Sequence, residues 1–324
     1  MDRGEKRPKI LVTRKLPDAA EAAFSQRFDC RLNPTDTALS GAEICTLADG
    51  ASGIALTSMD KFDADLIYRL PLSVKIISTV SAGYEHIDLR AAATRGLVVT
   101  NTPGVLTDAT ADIALLLMLG AARGASWGEG MVRDNRWPGA SMVAPLGHDM
   151  SGQRLGILGM GRIGQAVAHR ARAFGMTIHY HNRKPLAEGD AQGATYHADL
   201  AAMLPHCDFL SINCALTADT RNLINAQTLA LLPKGAIVVN TARGGIVEDN
   251  ALIDALSRGH IAAAGLDVFA NEPNIDPRYR ILQNVFLLPH LGSATLRTRT
   301  NMALKALENL TAFAEGKTPP DKLT

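Results

Sequence analysis

The sequence carries no excess of positive charge and no apolar stretch of membrane length. Lysine and arginine total 33, and aspartate and glutamate total 32, of 324 residues, which leaves a formal net charge of +1. A protein that binds nucleic acid through bulk charge needs a basic excess. The longest apolar run covers ten residues, 113–122, whereas a membrane-spanning helix needs about 20. We therefore expect neither a nucleic-acid nor a membrane partner.

Cysteines are few and scattered, and the N-terminus does not resemble a secretory signal. Cys30, Cys45, Cys207 and Cys214 form no C-x-x-C pair, so their spacing matches neither a disulfide framework nor a zinc site. The first fourteen residues hold an apolar run of only three, at 10–12, where a signal peptide needs at least about seven. These observations predict a reduced, cytoplasmic protein without a bound metal.

Hydrophobic patterning in the first hundred residues predicts alternating strands and helices. The predicted strands are 9–13, 53–57, 74–80 and 97–101, and the predicted helices between them are 18–27, 41–49, 64–69 and 88–95. Unbroken apolar strands separated by amphipathic helices are typical of a parallel sheet that is covered on both faces. We therefore predict an α/β architecture.

A second alternation follows a long predicted helix. This helix has Thr107 as its N-cap and is expected to run to about Asn135, before a loop at 136–150. Strands are then predicted at 154–158, 177–180, 209–213, 236–240, 263–266 and 285–288, and helices at 162–174, 200–204, 225–232, 250–257 and 294–315. At about 150 residues per domain, the length also favours two domains.

Three glycines stand between the first strand and the first helix of this second alternation. Gly159, Gly161 and Gly164 form a G-x-G-x-x-G motif. In a βα turn, such glycines provide a tight turn, close approach of the backbone to a pyrophosphate, and close packing of helix on strand. The free N–H groups at the helix N-terminus would then bind the phosphates. The motif therefore favours a dinucleotide site over an ordinary glycine-rich turn.

The end of the next predicted strand bears on the choice of dinucleotide. An NAD site usually places an acidic residue about 20 residues beyond the glycines, where it binds the adenosine ribose. Here that place is held by Asn182, and Arg183 and Lys184 follow. An arginine can hold a 2′-phosphate through charge-assisted hydrogen bonds. These three residues favour NADP as the cofactor, and NAD is the alternative. If they have no function, they form a solvated basic turn.

Polar residues follow three later strands of the predicted sheet. They are Arg243, then Asp267 with Glu272, and finally His290. Taken singly, each could be a surface cation, a turn residue or a structural histidine. In open α/β sheets, however, ligands bind at the carboxyl ends of the strands. There, a histidine could transfer a proton, a glutamate could orient it, and an arginine could hold a carboxylate, as hydride transfer to a 2-oxo acid requires.

Six segments in the same order resemble the D-isomer-specific 2-hydroxyacid dehydrogenase family over nearly the whole chain. They are V-S-A-G-Y-E-H-I-D at 80–88, T-P-G-V-L-T-D-A-T-A-D at 102–112, L-G-I-L-G-M-G-R-I-G at 155–164, N-T-A-R-G-G at 240–245, G-L-D-V-F-A-N-E-P at 265–273 and L-L-P-H-L-G-S-A-T at 287–295. Position 182 holds Asn and not an acidic residue, and in this respect the chain resembles the NADP-using glyoxylate/hydroxypyruvate reductase branch of the family.

The resemblance implies roles for individual residues. Arg243 should bind the substrate carboxylate and carbonyl, and His290 should be the general acid, paired with Glu272. Backbone N–H groups at Ser81, Ala82 and Gly83 should hold the carboxylate. The implied cofactor residues are Thr107, Gly159, Gly161, Arg162, Ile163, Gly164, Asn182, Arg183, Lys184, Cys214, Ala215, Thr220, Thr241, Ala242, Asp267, His290 and Gly292.

The resemblance also implies two similar lobes and a dimer. A flavodoxin-like substrate lobe would comprise 1–103 and 291–324, and a Rossmann cofactor lobe would comprise 104–290. A homodimer is expected through the long helix and the 136–150 arm. Trp137, on that arm, would either reach a neighbouring substrate site or serve only dimer packing.

Three hypotheses for function remain open at this point. The first is an NADPH-dependent reductase of glyoxylate, hydroxypyruvate or a similar short 2-oxo acid. The second is a dehydrogenase for another acid, such as phosphoglycerate, a 2-ketogluconate or an aromatic 2-oxo acid. The third is a nucleotide-sensing, corepressor-like binding protein. The complete set of Arg243, Glu272 and His290 argues against a pure sensor, which needs no proton donor.

Overall fold

A computed structural model describes residues 7–143 and 146–324. Backbone contacts divide the chain into two compact units, one formed by the chain up to Leu106 together with Ala294–Thr324, and the other by Thr107–Ser293. The expected lobe boundaries, after residues 103 and 290, precede these divisions by a few residues. The start of the N-terminal segment and two positions of the 136–150 arm lie outside the described residues.

The first unit contains a parallel five-stranded sheet. Its strands are β1 (Lys9–Val12), β2 (Asp29–Arg31), β3 (Gly53–Leu56), β4 (Ile76–Thr79) and β5 (Val98–Thr100). The helices between them are α1 (Asp18–Arg27), α2 (Gly41–Leu47), α3 (Ala64–Arg69) and α4 (Leu89–Thr94). The strand order β2-β1-β3-β4-β5 is the flavodoxin-like order.

The second unit contains a parallel seven-stranded sheet. It begins with helices α5 (Thr107–Ala122) and α6 (Ala125–Arg133), and its strands are β6 (Arg154–Leu158), β7 (Thr177–His181), β8 (Thr195–His197), β9 (Phe209–Ile212), β10 (Ala236–Asn240), β11 (Ile261–Leu266) and β12 (Val285–Leu287). Its other helices are α7 (Arg162–Ala173), α8 (Glu188–Ala191), α9 (Leu200–Met203), α10 (Ala226–Ala230) and α11 (Asp249–Ser257).

The strand order of this second sheet indicates where a ligand would bind. The order is β12-β11-β10-β9-β6-β7-β8, which is the Rossmann order extended by one strand. The chain direction across the sheet reverses between β6 and β9, and ligands of such sheets bind at that switch point. The prediction of two parallel α/β sheets is confirmed.

Both faces of the second sheet are buried, which explains its unbroken apolar strands. On one face, Leu210, Val238 and Leu266 belong to a cluster completed by α10 and α11. On the other face, Ile157 and Val239 belong to a cluster completed by α5 and α7. A strand that is covered on both sides has no solvent-facing position for a polar residue.

The last helix, α12 (Leu296–Ala314), belongs to the first unit. Thr295 caps its N-terminus by accepting a hydrogen bond from the Thr298 N–H at 3.1 Å. Ala303, Ala306 and Leu310 bury the inner face of the helix in the cluster beneath β1 and β4. The last helix of the chain therefore covers one face of the sheet that the first part of the chain forms.

The expectation of one long helix from Thr107 to Asn135 is wrong. The helix ends at Ala122, and α6 continues at an angle of 68°. Gly124 lies between them with φ 60° and ψ 44°, a left-handed conformation that glycine adopts at no steric cost. Within the described residues, no single helix is long and apolar enough to cross a membrane. The two helices α5 and α6 reach the required length and apolar composition only when they are taken together.

Candidate active site

The glycine loop joins β6 to α7 at the switch point of the second sheet. Gly159 has φ +94°, and a Cβ there would lie 2.5 Å from the backbone nitrogen of Cys214. A Cβ at Gly164 would lie 2.4 Å from the carbonyl oxygen of Gly159. These two glycines are therefore required by the turn and by the packing of the helix against it. A Cβ at Gly161 would meet no atom of the described residues within 4 Å, so this glycine borders open space.

The N-terminus of α7 has no side-chain cap. Gly161 is its N-cap and contributes no side-chain hydrogen bond. Val167, Ala168 and Ala171 bury the inner face of the helix, while Arg162 is exposed at its first turn. The first N–H groups of α7 are therefore not bonded to a capping side chain, and Gly161 leaves space in front of them. These N–H groups and the positive end of the helix dipole can bind a phosphate. These residues fit the pyrophosphate of a dinucleotide.

Asn182 is bonded to the glycine loop itself. The N–H of Met160 donates to Oδ1 of Asn182 at 2.7 Å, and the N–H of Gly159 donates to the carbonyl oxygen of His181 at 3.0 Å. Because Oδ1 faces the loop, the amide NH₂ group of Asn182 faces away from it. The sequence indicated Asn182 as an adenosine contact but gave no sign of this structural bond.

Two exposed cations follow Asn182. The side chains of Arg183 and Lys184 are exposed, and across residues 7–143 and 146–324 neither forms an ion pair with a carboxylate. The carboxyl end of β7 therefore presents amide and cationic donors to solvent, and no acidic side chain stands at the position that an NAD site usually gives to one.

His290 and Glu272 form a close pair at the carboxyl edge of the same sheet. Glu272 follows β11 and His290 follows β12, and Nδ1 of His290 lies 2.7 Å from Oε2 of Glu272. The N–H of Phe269 donates to Oε1 at 2.7 Å. Because Nδ1 bonds the carboxylate, Nε2 is the ring nitrogen that can exchange a proton with a ligand.

The charge of Glu272 is fixed by these neighbours. Burial alone would raise the pKa of its carboxyl group, but the hydrogen bonds from His290 and from the Phe269 N–H, with the nearby charge of Arg243, hold that pKa below its ordinary value. Glu272 is therefore ionised at neutral pH. The pair therefore places an ionised carboxylate on Nδ1 of the ring and leaves Nε2 for a ligand.

Arg243 is brought to this edge by the turn after β10. Asn240 fixes the turn, because its Oδ1 accepts from the Ala242 N–H and its Nδ2 donates to the Arg243 carbonyl oxygen, each at 3.0 Å. A Cβ at Gly244 would lie 1.8 Å from the carbonyl carbon of Phe269. Only glycine allows the Arg243 turn to pack directly against the segment that leads to Glu272.

Asp267 lies beneath the histidine. Its side chain is buried, and its two oxygens accept the N–H groups of Leu291 at 2.6 Å and of Gly292 at 2.8 Å. Burial raises the pKa of this carboxyl group, and the two N–H donors oppose the rise. The Thr110 hydroxyl donates to the carbonyl oxygen of Gly292 at 3.1 Å. The predicted cofactor residues Asp267 and Gly292 are therefore bonded to each other.

The remaining predicted cofactor residues of the second unit lie mainly along the same edge. The backbone of Cys214 packs against Gly159, and burial raises the pKa of its thiol to about 11. Thr220 donates to the carbonyl oxygen of Ala215 at 2.7 Å, so these two residues shape one loop after β9. Thr241 and Ala242 belong to the Arg243 turn, Ile163 lies in the first turn of α7, and Thr107 begins α5.

Ser81, Ala82 and Gly83 lie in the first unit, in the loop after β4. The Ser81 hydroxyl donates to the carbonyl oxygen of Gly83 at 2.6 Å, and Asn101 Nδ2 donates to that of Ala82 at 2.7 Å. The N–H of Thr102 donates to the carbonyl oxygen of Ser81 at 2.9 Å. All three carbonyl groups are thus held within the unit, and the substrate role of the N–H groups stays a prediction.

Comparison with known proteins identifies the class to which this site belongs. Residues 115–292 match the model of the D-isomer specific 2-hydroxyacid dehydrogenase NAD-binding domain. The chain is 41% identical over 310 residues to a glycerate dehydrogenase of Hyphomicrobium methylovorum, covering 95% of this chain and 96% of the relative. It is 39% identical over 319 residues to a glyoxylate reductase of Thermococcus litoralis, covering 97% and 96%.

A solved structure is similar along the whole chain. The NADPH-dependent glyoxylate/hydroxypyruvate reductase of Sinorhizobium meliloti, in complex with NADP and malonate, is 36% identical, with a TM-score of 0.88 and coverage of 98% of this chain and 97% of that one. The chain is an oxidoreductase that belongs to the D-isomer specific 2-hydroxyacid dehydrogenases.

Proposed function

We propose that this enzyme uses NADPH to reduce a short 2-oxo acid, glyoxylate or hydroxypyruvate, to the D-2-hydroxy acid. The observation that carries the reaction type is the His290–Glu272 pair, which lies at the ligand edge of a sheet with a phosphate-binding glycine loop. The choice of NADPH is supported by Asn182, Arg183 and Lys184, because the amide NH₂ group and the two cations are donors and no carboxylate stands at the end of β7.

The residues present fit a dinucleotide. Gly161 and the start of α7 would hold its pyrophosphate, and Asn182 with Arg183 would hold the adenosine end and its 2′-phosphate. When bound, NADPH supplies the hydride for the reduction. The chain itself must supply a proton donor and a group that binds the substrate carboxylate.

The chain's own side chains supply both. Nε2 of His290 would donate the proton to the carbonyl oxygen of the substrate, while Glu272 orients the ring and favours its protonated form. Arg243 would bind the substrate carboxylate, since a guanidinium group can bind a carboxylate through two parallel hydrogen bonds. The lowered pKa of Glu272 keeps its carboxylate charged at neutral pH.

One assay series tests the proposal. The purified enzyme is given NADPH or NADH with glyoxylate, hydroxypyruvate, phosphohydroxypyruvate, 2-ketogluconate and phenylpyruvate, and coenzyme oxidation is followed by absorbance. We expect the highest kcat/KM with NADPH and one of the two short acids. Preference for NADH, or for a bulky acid, would contradict the proposal. NADPH binding without turnover of any acid would favour a nucleotide sensor.

We also propose a cytoplasmic homodimer that forms through α5, α6 and the arm that follows them. Several apolar side chains of this region are exposed in the single chain, among them Val132, Trp137 and Met142. Light scattering coupled to size-exclusion chromatography should give twice the mass of the 34.5 kDa chain. A monomer mass would contradict the dimer.

A further inference from the structure

The loop after β4 is joined to a histidine by three successive hydrogen bonds. Oγ1 of Thr79 lies 2.9 Å from Nε2 of His86 and 2.7 Å from Oγ of Ser81. The Ser81 hydroxyl donates in turn to the carbonyl oxygen of Gly83 at 2.6 Å. Thr79 and Ser81 are only 0% and 6% exposed, so water competes little for these bonds. We refer to the four residues as the His86 relay.

The direction of each hydrogen bond in the relay is determined by its end. A carbonyl oxygen can only accept, so the single hydrogen of the Ser81 hydroxyl is used on Gly83. Ser81 Oγ must therefore accept from Thr79, which uses the single hydrogen of that hydroxyl as well. Thr79 Oγ1 can then only accept from His86. Nε2 of His86 must carry a proton, and the relay runs from the ring to Gly83.

The relay fixes the last of three carbonyl groups that are held inside the first unit. The carbonyl oxygen of Ser81 accepts from the Thr102 N–H, and that of Ala82 accepts from Asn101. In a trans peptide the C=O group and the N–H group of the next residue point in opposite directions. The N–H groups of residues 82–84 are thereby turned outward, and across residues 7–143 and 146–324 they donate to no other residue.

The backbone around His86 is also fixed. Its carbonyl oxygen accepts the N–H of Phe62 at 2.8 Å, and the N–H of Asp88 donates to the carbonyl oxygen of Phe62 at 2.9 Å. Phe62 itself is fully buried, just before α3. The relay therefore begins at a ring whose backbone is tied to the core of the unit.

We propose that His86 is a positioning residue for substrate binding, which acts through the relay on the peptide that follows Gly83. By holding that peptide, the relay keeps the N–H groups of residues 82–84 pointed together at the substrate carboxylate. Donors that already point at an anion need no rearrangement when it binds, and they therefore bind it more tightly. This inference rests on the proposed function, in which the substrate is a 2-oxo acid.

Two pairs of variants separate the hydrogen bonds from the bulk of the side chains. Thr79→Val removes the hydroxyl and keeps the shape, whereas Thr79→Ser keeps the hydroxyl. His86→Leu removes the donor, whereas His86→Gln offers an NH₂ group in place of Nε2. The KM for glyoxylate should rise by about 5- to 30-fold in the Val and Leu variants and stay within about twofold in the Ser and Gln variants.

The other kinetic constants show whether the effect is confined to the substrate. The residues that fit NADPH lie in the second unit, so the KM for NADPH should stay within about twofold in all four variants. The relay acts on a carboxylate that is bound alike before and during the reaction. We therefore expect kcat to stay within about threefold.

Thr100→Val is the matched control. Thr100 is also a fully buried strand residue of the first sheet, and its hydroxyl donates to Oγ of Ser78 at 2.8 Å, outside the relay. This variant should lower the melting temperature as Thr79→Val does, but keep the parent's KM for glyoxylate. If the role of Thr79 were merely structural, the two valine variants would behave alike.

Three kinetic results would overturn the proposal. The first is an unchanged KM for glyoxylate in either Thr79→Val or His86→Leu. The second is a Thr79→Ser variant that behaves like Thr79→Val, since the hydroxyl would then not matter. The third is a rise in KM for glyoxylate in Thr100→Val as large as that in Thr79→Val.

The protonation of His86 can be measured in the parent protein, even if the Val and Leu variants do not fold. With ¹⁵N in the histidine rings, Nε2 of His86 should give the signal of a protonated nitrogen at about pH 8. The signal is identified by its loss in His86→Gln. An unprotonated Nε2 would overturn the relay.

Binding of oxamate, followed by calorimetry in the presence of NADPH, separates this proposal from the proposed function. If the parent reduces no 2-oxo acid, the proposed function fails. The affinity for oxamate should still fall by about 5- to 30-fold in Thr79→Val and stay near the parent value in Thr79→Ser. Equal affinity in all three proteins, or no binding at all, would overturn the role of His86.

Discussion

Replacing Glu272 with glutamine tests whether its carboxylate sets the charge of His290. The amide keeps the size of the side chain and an oxygen that can still accept from the Phe269 N–H. It removes the negative charge that lies 2.7 Å from Nδ1 of the ring. The reduction needs a protonated donor, so the variant should lose rate first on the alkaline side of the pH profile.

The direction of the shift follows from the geometry. Two unit charges about 4 Å apart interact by about 4 kcal/mol at an effective dielectric constant of about 20. The side chains of His290 and Glu272 are 38% and 25% exposed, so solvent screens part of this energy. An opposite charge at this range favours the charged form of a titratable group. We expect the alkaline limb to move to lower pH in the variant, so that the loss of kcat/KM is larger at about pH 8 than at about pH 6.

The assay is log kcat/KM for the reduction, measured from about pH 5 to 9 in parent and variant. The pKa of Glu272 lies below its ordinary value, so the parent keeps the carboxylate charged across this range. At the acid end the variant should recover much of its rate. Glu188→Gln, a change at an exposed residue of α8, is the control. An alkaline limb that stays in place would refute this role of Glu272.

Three further predictions follow from other parts of the second unit. Arg183→Ala should raise the KM for NADPH by about 10- to 150-fold, the value of a charge-assisted hydrogen bond, and leave the KM for NADH nearly unchanged; equal effects on both would exclude phosphate recognition. His290→Gln should lower kcat by about 100-fold or more while NADPH still binds, as a fluorescence titration would show; turnover within a few-fold of the parent would remove His290 from the reaction. Burial, with the neighbouring imidazoles of His197 and His206, holds the pKa of His179 below its ordinary value. Burial, with the neighbouring imidazoles of His206 and His181, does the same to the pKa of His197. The unfolded chain therefore takes up protons below about pH 6.5 that the folded chain resists, and stability falls as the pH drops. In His206→Gln the fall in melting temperature between about pH 7 and 5.5 should be smaller; an equal fall would contradict this coupling.

Much of the fold was predictable because its signals are local. Apolar runs such as 154–158 and 236–240 mark strands that are buried on both faces, and the glycine motif at 159–164 marks the βα turn between the first of them and its helix. The placement of Arg243, Glu272 and His290 at one edge also followed, because parallel strands all end on the same side of their sheet.

Other features were not readable from local pattern. The strands β2 and β8 have three residues each, too few to show a period, and they form only because a neighbouring strand offers an edge. The helix break at Gly124 was missed, since the composition on both sides of it suits a helix and only the bend shows that the glycine adopts a left-handed conformation.

The fine structure of the site was decided by the tertiary structure alone. Asn182 meets Met160 across 22 residues of chain, and Asp267 meets Gly292 across 25. The sequence supplies an amide, a carboxylate and a histidine, but it does not state which backbone N–H groups they will face. That depends on the register of β6 with β7 and of β11 with β12, because a side chain can bond only what the neighbouring strand brings within reach.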